Sequence, residues 1–115
     1  MLPAAHRLRR PQEFSGTVRT GVRAGRSTLV VHLAPGSGGG PTRVGFVVSK
    51  AVGNAVTRNL VKRRLRAASL PVVGMLPSGS AVVVRALPSA AEAGFAALSD
   101  DLVGAVRSAQ RKVSR

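Results

Sequence analysis

Residues 49–66 read SKAVGNAVTRNLVKRRLR and hold six of the eighteen lysines and arginines of the chain, with no acid among them. Gly53 and Asn54 mark a turn, so residues 50–55 are expected to form a loop, followed by a helix from residue 56 to about residue 70. Wound at about 100° per residue, that helix places Arg58, Asn59, Lys62, Arg63 and Arg66 on one arc. Thr57, Val61, Leu65 and Ala68 fall on a separate arc, with Arg64 on its far flank. One face therefore packs. The other is a comb of cations spaced roughly 6 Å apart, a match to successive phosphates of a nucleic-acid strand.

The flanking sequence sets the fold around this helix. Before it, TRVGFVVS at residues 42–49 is apolar and β-branched and reads as a strand, in which Gly45 marks a bulge or a close backbone approach. A second run, STLVVHLA at residues 27–34, is joined to it by the turn tract PGSGGGP at residues 35–41. After the helix, Pro71, Gly74 and Pro77 break the chain, and SAVVVRAL at residues 80–87 reads as a strand buried on both faces. Residues 11–20 are a short helix with Pro11 in its first turn, Phe14 and Val18 four apart on one face, and Gly21 ending it. Residues 89–112 keep helical spacing through Phe95, Leu98, Leu102 and Val106, with Gly94 separating a short turn before them. The expected order is α-β-β-α-β-α, a small two-layer α+β sandwich with helices over one sheet. The apolar stripe of the basic helix should seat on that sheet and leave the cationic arc exposed.

Composition narrows the function. At 115 residues the chain suits one domain. Its net charge is +14, with Glu13, Glu92, Asp100 and Asp101 as the only acids. Self-repulsion of that size is relieved by a bound polyanion, so nucleic acid is the expected partner. Fifteen of the eighteen bases are arginine, whose planar fork binds phosphate in bidentate fashion. A merely solvated helix would pair Glu with Lys or Arg four residues on, and this one has no such partner. A membrane-surface helix would carry bulky Trp, Phe or Leu on its apolar face.

With no cysteine, disulfides, thiolate zinc sites and cysteine nucleophiles are excluded. His6 and His32 stand far apart without a carboxylate cluster, and read as surface or strand residues. Asp100 and Asp101 are adjacent and do not face one another, a poor arrangement for two-metal chemistry. KAVGN lacks the order of a phosphate-binding GxxxxGK loop. The polypeptide is therefore expected to break no bonds itself. No segment approaches the roughly twenty apolar residues of a membrane span, and MLPAAHRLRR lacks a signal peptide's apolar core, so a cytoplasmic location is expected.

The segment VVSKAVGNAVTRNLVKRRLR, residues 47–66, closely resembles the signature of the bacterial ribonuclease P protein component. Gly53, Asn54, Ala55, Val56, Arg58, Asn59, Lys62, Arg63, Leu65 and Arg66 coincide with that motif without a shift of register. The order of elements fits the family along nearly the whole chain, and Phe14 falls where members carry an aromatic on the first helix. Members often have a second Lys where this chain has Ala51, and a second Arg where it has Leu60. They commonly show aromatics on the first strand, whereas Phe14, Phe46 and Phe95 are the only aromatics here.

The resemblance implies a single RNA-binding domain over residues 1–115, similar to a ribosomal-protein domain fold with a left-handed βαβ crossover. It implies a protein subunit that assists RNA-catalysed removal of the 5′ leader from precursor tRNA, with magnesium held mainly by the catalytic RNA. The implied partners are ribonuclease P RNA and precursor tRNA, with no membrane and no DNA. Lys50, Asn54, Arg58, Asn59, Lys62, Arg63 and Arg66 would bind the catalytic RNA. Phe14 would either stack on leader bases in a cleft or belong to the core, and Phe46 and Phe95 are assigned to the core. A ribosomal protein of similar fold has no reason to carry the register GNAVxRN-xx-KRxLR. A helix-turn-helix DNA binder needs a short helix where strand TRVGFVVS stands.

Overall fold

The structure, a computed structural model, describes residues 2–36 and 38–114. One sheet is built from β1 (Val22–Gly25), β2 (Leu29–Ala34), β3 (Arg43–Val47) and β4 (Ala81–Ala86), in the spatial order β1-β2-β4-β3. β2 pairs antiparallel with β1 and β4, while β3 runs parallel to β4. A parallel neighbour requires a crossover, and α2 (Ala55–Ala68) followed by α3 (Leu70–Met75) supplies it. α1 (Pro11–Thr20) precedes the sheet and α4 (Phe95–Val113) closes the chain, with short 3-10 turns at Ala4–His6 and Pro88–Ala91.

Alternation along the strands gives the sheet two different faces. Leu29, Val31 and Leu33 of β2, Val44 of β3, and Val82 and Val84 of β4 join the main core with Val61 and Leu65 of α2 and Leu98, Leu102 and Val106 of α4. The opposite face carries α1, whose Phe14 ring lies against Gly45 of β3. Val82, Val83 and Val84 are all at most 1% exposed, as the unbroken apolar run predicted. Gly94 is the N-cap of α4, as its spacing suggested. Asp101 of α4 is committed to the start of β2, accepting the backbone N–H of Thr28 at 3.1 Å and its hydroxyl at 2.6 Å.

Two elements go beyond the expected order, which is observed as α-β-β-β-α-α-β-α. β1 is four residues long, includes Gly25 and has an exposed Arg23, so it carries too little apolar pattern to read as a strand. α3 forms in spite of Pro71 because a proline in the first helical turn removes a donor that had no partner there. α2 starts one residue earlier than expected, at Ala55, because Asn54 caps it: its side-chain oxygen accepts the Thr57 N–H at 2.9 Å. Gly53, at φ +156°, brings the turn close against Thr57. Phe95, expected in the core, is 47% exposed at the first turn of α4. Phe46 is half-buried and packs on the core.

The arm before α1 was given no element from the sequence. It docks along the free edge of β3 through a parallel bridge between Arg7 and Val44, with the Leu8 N–H donating to the Val44 carbonyl at 3.0 Å. Leu2 anchors it, fully buried in the core. The edge of a sheet is a template for unwanted pairing, and the arm covers it.

Candidate nucleic-acid interface

α2 divides as its periodicity demands. Val61, Leu65 and Ala68 are buried, whereas Asn59 and Arg63 are exposed and Arg58, Lys62 and Arg66 are half-buried. Lys50 is exposed in the turn that leads into the helix. Asn54 is exposed too, but its oxygen is engaged as the helix cap. Arg64, on the flank, donates to the Ala93 carbonyl at 2.9 Å and ties α2 to the turn before α4. The Nε of Arg58 is buried and without a hydrogen-bond partner among the described residues. An orphaned buried donor costs about 1–3 kcal/mol until something accepts from it.

Lys62 and Arg66 reach the β3 edge, where they line a small hollow with Arg7, Phe14 and Phe46. Beyond Phe14 the α1 side of the sheet opens as a cleft of about 360 Å³, walled by Phe14, Val18, Arg19, Val47, Val83 and Arg85. Phe14 is half-buried and Val18 is 37% exposed, so this flank of α1 looks onto the cleft. Arg19 and Arg85 were not singled out by the sequence, because they come from α1 and β4 and meet only in the fold.

His32 of β2 lies on the same face, 9% exposed, opposite Arg23 of β1. Burial, then the charges of Arg85 and Arg23, push its imidazole below the ordinary histidine value of 6.5. The fold thus favours neutral His32, and the unfolded chain takes up its proton first on acidification. The stability that neutral His32 contributes is complete above about pH 6.5 and is lost as pH falls from there to the depressed native value. Thermal melts between about pH 7.5 and pH 5 should show wild type losing more stability on acidification than His32→Gln. Equal losses would exclude this titration as a source of acid sensitivity.

Acids are few, and Glu13 and Asp101 are already committed. The Glu13 carboxylate accepts the Arg10 backbone N–H at 3.2 Å and pairs with Arg43 at 3.2 Å. The Arg10 N–H, aided by Arg43, holds it below the usual carboxylate value. Among the described residues no cluster of three or more His, Cys, Asp or Glu side chains is placed to hold a metal ion. No helix among them is long and apolar enough to cross a membrane.

Sheet, cleft and cationic helix together define a small, strongly basic α+β protein with its charge concentrated beside an open groove. The ribonuclease P family model matches residues 2–110. The ribonuclease P protein component of Streptomyces avermitilis is 56% identical over 115 residues, covering 93% of this chain and 94% of its own length. That of a Nocardioides species is 58% identical over 104 residues, covering 89% of each. The RNase P protein of Staphylococcus aureus has the same fold, with a TM-score of 0.77 at 24% identity over 90% of this chain and 94% of its own. That of Thermotoga maritima gives 0.74 at 25% identity, over 87% and 94%. The chain belongs to the ribonuclease P protein family, the protein component of the enzyme that processes the 5′ end of tRNA together with an RNA subunit.

Proposed function

We propose that α2 and its preceding turn bind the catalytic RNA, while the α1 cleft holds the single-stranded 5′ leader of precursor tRNA. The carrying observation is the outer face of α2, where Arg58, Asn59, Lys62, Arg63 and Arg66 stand together with the orphaned Nε of Arg58 among them. Phosphate oxygens are the acceptors that suit the guanidinium and ammonium donors of this face. Lys50 extends the face into the turn, and Asn54 contributes by fixing where the helix begins. In the cleft, Phe14 offers a ring for base stacking, and Arg19 and Arg85 offer charge to the backbone. Such contacts tolerate many leader sequences.

Catalysis is assigned to the RNA subunit, with magnesium held mainly there. Glu13 is engaged by Arg10 and Arg43, and Asp101 by Thr28, so these carboxylates are poorly suited to caging a metal. The protein's part is to neutralise phosphate, which favours the folded RNA at low magnesium, in a single RNA-binding domain acting in the cytoplasm. Log affinity for the catalytic RNA should fall linearly with log salt, and Arg58→Ala, Lys62→Ala and Arg66→Ala should each flatten the slope by about 0.7–0.9. An unchanged slope in all three would remove α2 as the RNA surface.

A further inference from the structure

Neither surface uses the arginines of the N-terminal arm. We propose that Arg7, Arg9 and Arg10, together with Arg43 of β3, form a further RNA contact, a cup that grips the phosphate backbone of the catalytic RNA beside α2. This rests on the reading of α2 as the face for that RNA.

The four arginines line one cavity of about 570 Å³, shared with Glu13 and two small alanines, Ala4 and Ala5. Glu13 is the only acid there, and it is already bound to the Arg10 backbone and to Arg43. Three positive charges are left uncompensated in one concave space. Gathering like charges costs energy in the free protein and is repaid when a polyanion enters. Guanidinium forks suit phosphate oxygens in bidentate geometry.

The cup is held in place before any ligand arrives. Arg7 bridges to Val44 and its Nε donates to the Leu2 carbonyl at 2.8 Å, while Leu2 itself is fully buried. The arm is therefore ordered by folding, and the entropy of fixing it is not charged to binding. Arg7 also lines the hollow that contains Lys62 and Arg66, so the positive surface runs from α2 into the cup without a break. Among the described residues no aromatic lines the cup. A single-stranded leader gains affinity by stacking and finds no platform here, whereas a helical RNA is held through its backbone without stacking.

Arg9 and Arg10 are exposed, so their replacement should leave the fold intact. The test compares wild type, Arg9→Ala/Arg10→Ala, Arg9→Lys/Arg10→Lys and Lys62→Ala, each bound to full-length catalytic RNA across a salt series. Precursor tRNA with and without a leader is measured on each holoenzyme. The double alanine variant should flatten the log–log slope by about 1.5, with the lysine variant close to wild type. Leader discrimination and melting temperature should not move. A wild-type slope in the double alanine variant beside a flattened slope in Lys62→Ala overturns the cup and leaves the α2 reading standing. A wild-type slope in both overturns the cup and also removes the Lys62 contact through which the cup joins α2. A loss confined to leader-bearing precursor overturns the assignment to catalytic RNA.

Discussion

Leu65→Ala is expected to lower folding stability by about 2–5 kcal/mol, measured by urea unfolding. The side chain is fully buried on the inner face of α2, in one core with Val61, Leu98 and Leu102. Truncation leaves a cavity that rigid neighbours fill only in part, so lost transfer energy and lost packing add. A domain of this size is stable by only about 5–15 kcal/mol, so the change takes a large share of the total. Arg63→Ala, two residues earlier on the exposed face, should stay within about 0.5 kcal/mol while weakening assembly with the catalytic RNA. If Arg63→Ala unfolds the protein and Leu65→Ala leaves it untouched, the two faces of α2 have been assigned the wrong way round.

Gly45→Ala should disrupt the cleft from behind. A Cβ at this position would meet the Phe14 ring, with Cζ at 2.5 Å, and the Leu8 Cβ at 2.9 Å. Neither contact is tolerable, and Leu8 is held by its backbone bond to Val44. The ring must therefore leave β3. Overpacking of this kind costs about 1–3 kcal/mol of stability. Loss of the stacking platform should cost a further 1–3 kcal/mol or so of affinity for precursor tRNA bearing a leader, with mature tRNA unaffected. Phe14→Ala should lose the same leader affinity, and with a half-buried ring it should lose less stability than a fully buried phenylalanine, about 3–5 kcal/mol. Combining the two should relieve the ring's share of the Gly45→Ala clash, leaving the Leu8 contact, without restoring leader affinity. Leader discrimination that survives in either single variant rules out Phe14 as the platform.

These residues also mark how far the sequence could be read. The two faces of α2 follow from periodicity within one element, and the structure divides them as expected. Gly45 was legible as a bulge or a close approach, but its partner was not, because Phe14 lies some thirty residues away on another element. The cleft combines α1, β3 and β4, and no local pattern links Arg19 to Arg85. Phe95 shows the reverse failure: helical spacing aligned it with Leu98 and Leu102, yet as the first residue of α4 it stays half-exposed. The arm's arginines were not singled out because their positions depend on a bridge to Val44, far along the chain.

The place of β4 between β2 and β3 has a consequence for synthesis on the ribosome. β2 meets β4 about fifty residues downstream, and β3 has no other strand of the sheet beside it. A nascent chain that ends before residue 81 already contains every cation of α2, but its sheet is only the β1–β2 hairpin, which is marginal alone. Such a chain meets RNA as a loose polycation. The rigid comb of charges comes into being when β4 slots into the middle and α4 seals the core, so shape-matched assembly waits until both have been made.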